Sequence, residues 1–370
     1  MTALDRYLAR EILLPFLAGL VFLTQVLLAT QILSQADVLF GSGVSAADVL
    51  RVVANMVPHL LGYVIPVAFL LGGVVGVGRL AEDRELVALS AAGISPVRLA
   101  RTPLLLGLVV TVVALWVGLE LEPFGLRSAR IELNEIIKKN VSSDVHAGVF
   151  YEDIPDWTVY AGEVKGGHWR RVLISDRSDP SAPLLALAER GRLDPAEAGQ
   201  AMRLVLENGE LHRLPPGSDE YTQAAFRRAE FTIGLGSSVS DRNRLVGSAF
   251  ELQPSEIREL ARGLAAKDPY QARRWSTFLY RRIAGPMAVL VFALLAVPIG
   301  ASRRGGRAFG YGATLLTVVS YYALLRFGEG LAQQGVLPVW LGPNVANLAA
   351  AAAGLALLAL MVRRGAGAVR

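Results

Sequence analysis

Six apolar runs and one long polar interval divide this chain. The runs are Ile12–Leu33, Val52–Gly78, Pro103–Leu119, Ile283–Ala301, Phe309–Leu325 and Val345–Val362. Each is nearly free of charge and falls near the ~17–25 helical residues needed to cross roughly 30 Å of hydrocarbon. The polar interval runs from about Pro123 to Trp275, and from Val149 to Gly234 its pattern shortens to alternating segments. Thr158–Val164 alternates, Gly166-Gly167 turns the chain, and Arg171–Ser175 returns, which is a hairpin signature. Leu184–Leu193, Ala201–Leu206, Glu210–Leu214 and Ala229–Ile233 continue the series. Asn208-Gly209 reads as a tight turn, and Pro215-Pro216-Gly217 as a longer loop. The predicted fold is an α-helical membrane protein with six transmembrane helices and an inserted all-β, jelly-roll-like domain. The predicted division is 1–123 for the first three spans, 124–274 for the β-domain and 275–370 for the last three spans.

Charge orients the spans, because Lys and Arg favour cytoplasmic loops. Arg6 and Arg10 precede the first span. Arg79, Arg84, Arg98 and Arg101 lie between the second and third, Arg303, Arg304 and Arg307 between the fourth and fifth, and Arg363, Arg364 and Arg370 after the last. The alternate short loops, Ser34–Leu50 and Gly328–Asn344, hold acids and no Lys or Arg. Both termini are therefore expected in the cytoplasm and the β-domain in the periplasm.

Composition agrees with a membrane protein: 53% of the 370 residues are hydrophobic, and the mean hydropathy is +0.42. The net charge of +5 is dispersed over span ends, which argues against a nucleic-acid partner. With no cysteine there is no disulfide or thiol site. His146, His168 and His212 stand apart from one another, so no metal or cofactor is expected. The first apolar run is longer than a secretory h-region, and no small-x-small site follows it before Gln35, so it is expected to be retained.

One short cytoplasmic stretch stands out. About residues 81–95 predict a helix whose Leu86, Leu89 and Gly93 share a face, with Glu82, Asp83 and Glu85 near its start and Gly93 suited to its C-terminus. Such a helix can lie on lipid or dock into a soluble partner. Glu85 by itself reads equally as a solvated charge at the start of the helix.

Several segments resemble the LptF/LptG permease family, the membrane subunits of the lipopolysaccharide exporter. They are Leu4-Asp-Arg-Tyr-Leu-Ala-Arg-Glu, Pro66-Val-Ala-Phe-Leu-Leu, Gly78-Arg-Leu through Glu85-Leu to Ala92-Gly93-Ile94, Arg282-Ile-Ala-Gly-Pro286 and Ala296-Val-Pro298. The start leans toward the LptF side. The resemblance implies an ABC transporter permease in the inner membrane of a Gram-negative-type bacterium. It implies a second LptF/LptG-type permease, an ATP-binding cassette ATPase dimer and a periplasmic LptC-type bridge as partners. It also implies that Glu85 pairs with a basic residue of the ATPase, with Leu86, Leu89 and Ile94 packing beside it.

The residues add their own constraints. The chain lacks a G-x-x-x-x-G-K-[ST] phosphate loop, so it is expected to be a non-catalytic subunit served by a separate ATPase. The apolar runs show no buried acid relay of a proton-driven carrier. Where the family often has a basic residue near the outer end of the first span, this chain has Gln31. Arg281 and Arg282 are the better phosphate candidates, and their plain alternative is interfacial anchoring. Gly72, Gly73 and Gly76 suit close helix packing, Pro58, Pro66, Pro286 and Pro298 suggest kinks, and Asn55 and His59 are placed to bond a neighbouring helix. Arg326 can pair with Glu329. The expected function is extraction of lipopolysaccharide from the inner membrane and its passage to a periplasmic bridge. The alternative is a mechanotransmitting ABC subunit that drives a periplasmic partner without moving lipid.

Overall fold

The computed structural model describes residues 2–34, 36–40, 44–144, 147–151, 157–165, 167–177, 183–195, 201–213, 221–234, 249–302 and 306–364. Gln35, His146, Gly166, Pro215–Gly217, Arg303, Arg304 and Arg370 lie outside them. Two compact units are present. One comprises Met1–Gln31, Met56–Gly125 and Ala249–Arg370, and the other Ile32–Asn55 and Leu126–Ser248.

The helices in chain order are α1 (Ala3–Ser34), α2 (Ala36–Leu39), α3 (Ala46–Glu82), α4 (Glu85–Ala91), α5 (Pro96–Trp116) and α6 (Glu122–Asp144). After the strands come α7 (Pro254–Leu264), α8 (Pro269–Gly300), α9 (Gly306–Gln334) and α10 (Val345–Arg364). Among the described residues, five helical stretches are long and apolar enough to cross a membrane: α1, α3, Pro96–Leu133, α8 and Gly342–Arg363. α9 supplies the sixth helix at 29 residues. It is the more polar one, because glycines, hydroxyl side chains, Arg326 and Glu329 interrupt its apolar residues.

Local sequence sets several boundaries. Ser95 caps α5 by accepting from Arg98 N at 3.3 Å, with Pro96 in the first turn. Asp268 caps α8 by accepting from Tyr270 N and Gln271 N, again with proline next. Between α5 and α6 the chain does not stop. A π-helical segment, Val117–Leu121, joins them into one continuous rod. The interval 124–274 therefore opens in helix and closes in helix, and its strands occupy only Phe150–Gly234.

In the first unit α3 lies at the centre. A Cβ on Gly72 would sit 2.7 Å from the backbone nitrogen of Phe16, and one on Gly73 would sit 2.6 Å from the Ala296 methyl. A Cβ on Gly76 would run into the backbone of Glu11. The expected glycine face is thus where α1 and α8 close onto α3. Phe69, Ala68, Val289 and Ala293 fill the space beside it.

The second unit holds an antiparallel sheet of β1 (Phe150–Tyr151), β2 (Trp157–Lys165), β3 (His168–Asp176), β4 (Leu184–Pro195), β5 (Ala201–Arg213) and β6 (Thr222–Gly234). Each strand pairs with its sequence neighbours in the order β1-β2-β3-β4-β5-β6. The all-β insert is present. Its described strands form a meander, and the Greek-key crossovers of a jelly roll do not occur among them. Val159, Ala161, Val172, Ile174, Ala186, Ala188, Leu204 and Leu206 are buried at alternate positions and make a core on one face.

Asn208-Gly209 is not a turn. It lies inside β5, with Gly209 paired to Ala188 on one side and to Phe226 on the other. Asn208 takes φ 52 without shifting the register, and Arg171 takes φ 54 in β3. The tight-turn dipeptide is overridden because Glu207 and Gly209 pair with β4 and β6 on either side, which keeps the chain in the strand although Asn208 itself takes a left-handed conformation.

Candidate functional site

The expected helix at 81–95 is shorter than its pattern suggested. α3 continues to Glu82, Asp83 and Arg84 turn the chain with Arg84 at φ 58, and α4 covers Glu85–Ala91. Its end is a Schellman motif. Gly93 sits at φ +83 and donates to Ser90 O, while Ile94 N donates to Leu89 O at 3.0 Å.

The N-terminal segment cradles this helix, a role the sequence reading missed. Tyr7 donates its hydroxyl to Glu85 Oε2 at 2.8 Å. Glu11 accepts from Arg79 Nη1 at 3.1 Å. Asp5 accepts from Arg98 Nη1 at 2.6 Å and from Thr102 Oγ1 at 2.9 Å, and Thr2 closes the cluster through its N and Oγ1. Asp5, Tyr7 and Glu11 therefore pin the start of α1 to α5, to α4 and to the end of α3. Their signal was the polar spacing in Leu4–Glu11, which is legible only once α1 is known to run beside the loop.

Leu86 is 4% exposed and buried among Leu8, Val77, Leu80 and Leu99, with Leu89 and Ile94 packed against it. The apolar face expected to meet a partner faces the chain's own core. Helical spacing identifies an apolar stripe but not the body it packs on. The surface left open here is Val87, 43% exposed, with Ala88, Ala91 and Val97. Beside it, a cavity of about 280 Å³ is lined by Val74, Gly78, Arg79, Glu82, Ser302 and Tyr311.

A second polar cluster lies roughly 35 Å away along α3. Arg282 is buried and donates to the carbonyls of Leu252 at 2.6 Å, of Ala249 at 3.3 Å and of Phe250. Its guanidinium clamps the segment that enters α7: both Nη atoms are engaged by backbone carbonyls, and Nε is buried without a hydrogen-bond partner. Arg281 donates to Tyr63 Oη at 3.3 Å, lies 3.6 Å from Glu329 and stacks over Phe250 and Phe278. Arg326 also reaches Glu329, at 3.1 Å. His59 meets Glu122 at 2.6 Å, both buried.

The apolar runs held no buried acid, yet Glu122 and Glu329 are buried, at 5% and 4% exposure. Both helices continue past the ends of those runs, which is why the pattern missed them. Gln31 lies half-buried near the end of α1.

The chain matches the model of the lipopolysaccharide export system permease LptF/LptG over residues 6–360. It belongs to the LptF/LptG family. The match covers both spans-rich ends and the inserted sheet, and it is to LptF and LptG jointly. A comparison with curated proteins finds no match. Family membership makes this chain a permease subunit of the lipopolysaccharide export transporter, a multi-pass protein of the inner membrane.

Proposed function

We propose that this LptF/LptG-family subunit forms half of a lateral cavity, takes lipopolysaccharide from the outer leaflet of the inner membrane and passes it along its sheet to a periplasmic bridge. Both termini lie in the cytoplasm and the sheet in the periplasm, in keeping with the distribution of arginines over the short loops. The force comes from an ATP-binding cassette dimer that engages α4, and a second LptF/LptG-type permease supplies the other half.

The observation that carries this reading is α4 itself. It is anchored from within by Leu86 and held at Glu85 by Tyr7, while its opposite face offers small apolar residues around Val87. A rigidly mounted helix with an apolar outer face can transmit a push from a soluble motor. In this geometry Glu85 accepts from Tyr7 and stays half-exposed, so a basic residue of the ATPase can reach it as well.

The test is co-purification with the ATPase and ATP turnover in nanodiscs for wild type, Glu85→Ala and Val87→Asp. Both variants are expected to lose binding or turnover by roughly tenfold, equivalent to one good contact. If wild type holds no ATPase, the transporter reading fails. Photo-crosslinkers in the interior of the sheet are expected to capture lipid only with ATP. Capture of no lipid at all, with coupling intact, would favour a mechanotransmitting subunit instead.

A further inference from the structure

We propose that the groove between α7 and α8 binds the phosphate of an anionic lipid headgroup. α7 is amphipathic: Ile257 and Ala261, one turn apart, are buried, while Arg258 and Arg262 follow them on the exposed side. α7 packs along α8, and the two enclose a groove of about 410 Å³. Arg258 and Arg262 line it from α7, and Arg273, Ser276 and Tyr280 from α8. Alanines at the contact keep the helices close, and no acidic residue lines the space.

The arginines are held apart from counter-charges. Glu259, the nearest acid of α7 in the sequence, is exposed and does not line the groove, and Glu256 caps its own helix by accepting from Gln253 N at 2.6 Å. Arg273 is fixed in place because its Nε donates to Gln333 O at 2.9 Å. Among the described residues, no carboxylate pairs with Arg258, Arg262 or Arg273. Arginines from two helices line one groove, so a phosphate there meets guanidinium groups from both sides and can accept bidentate bonds.

Height along α8 selects a lipid. α8 has 32 residues and is about 48 Å long, longer than the roughly 30 Å hydrocarbon core. Its apolar run begins at Ile283. Arg273 to Tyr280 then lie about 4–15 Å beyond the hydrocarbon edge, at headgroup level. Tyr270, Trp275 and Tyr280 sit in the same turns, as interfacial aromatics do. The inference rests on α8 being a span, and the proposed orientation makes this the outer leaflet. Lipopolysaccharide and resident phosphatidylglycerol share the required phosphate.

The experiment is native mass spectrometry of the full chain released from nanodiscs of equal phosphatidylethanolamine and phosphatidylglycerol. Wild type is expected to retain phosphatidylglycerol roughly tenfold over phosphatidylethanolamine. Arg258→Gln with Arg262→Gln, both exposed side chains, is expected to abolish that preference. Arg274→Gln, at the same height but outside the groove, is expected to keep it. Retention of the preference in the double variant overturns the proposal, as does equal loss in Arg274→Gln, which would indicate a generic cationic belt. Removal of the bound lipid by inorganic phosphate alone, without effect of lipid identity, also overturns it. Displacement by added lipopolysaccharide assigns the groove to the substrate, and resistance to it assigns the groove to a resident lipid. ATP turnover of the same variants reconstituted with the ATPase separates failure of the groove from failure of the transporter reading.

Discussion

α1 and α3 are almost equally apolar, with hydropathies of 2.4 and 2.3 over their best windows, yet 17% of that window is buried in α1 and 67% in α3. The difference lies in side-chain size. α3 carries Gly72 and Gly76, which let the backbone of α1 approach, and Gly73, which takes the Ala296 methyl of α8, whereas the buried side of α1 is a single stripe through Leu8, Ile12, Phe16 and Gly19. In lipid, apolar surface has little preference for another helix, so close approach and specific polar contacts decide which helix becomes central. The rest of α1, including Leu14, Leu17, Val21 and Phe22, remains exposed. In the proposed pairing with a second permease, that face is the one left for lipid or for the partner.

Adding bulk on the central side should break this contrast most. Gly76→Leu forces a side chain into the backbone at Glu11 and is expected to cost about 3 kcal/mol, seen as a large drop in melting temperature in detergent. Leu17→Ala on the open face of α1 should stay within about 0.5 kcal/mol of wild type. If both behave alike, glycine contact does not set the centre.

The neighbouring arginines sharpen the same distinction between inward and outward residues. Arg282→Met leaves three carbonyls without their donor and is expected to cost about 3 kcal/mol, whereas Arg281→Met should cost about 1 kcal/mol, because Glu329 keeps Arg326. Equal melting temperatures for the two would remove the clamp assignment. Glu122→Leu strips His59 of its buried partner and should cost about 2 kcal/mol, while Glu122→Gln, which can still hydrogen-bond, recovers most of that in the same melt.

The smallest effect is at the rim of the bundle. Tyr7→Phe removes one partly exposed hydrogen bond to Glu85 and is expected to cost about 0.5 kcal/mol. Its clearer readout is faster amide exchange across α4 and slower ATP turnover. Unchanged exchange in α4 would show that the cradle does not hold this helix.

Much of this architecture was legible in advance. Long apolar runs, period-two alternation, the Gly93 stop and the glycine face of α3 each arise from local chemistry acting over a few residues. What the local pattern did not show has a common cause. Leu86, Leu89 and Ile94 have the spacing of a docking face, and only the presence of Leu8 and Leu99 beside them makes that face internal. Asn208-Gly209 has turn chemistry, and only β4 and β6 on either side keep it in a strand. Arg282 has the chemistry of a phosphate ligand, and only the carbonyls of Ala249, Phe250 and Leu252 claim it.

By itself, the sequence determined that this chain spans a membrane, where its helices lie, that a β-domain interrupts them and which residues could carry charge chemistry. These follow from hydropathy and backbone propensity, which act locally. Tertiary structure alone decided which helix is central, which arginine is a clamp, and that Asp5, Tyr7 and Glu11 brace α4. Those outcomes depend on which side chains distant segments bring within about 3 Å of one another, the range at which hydrogen bonds form.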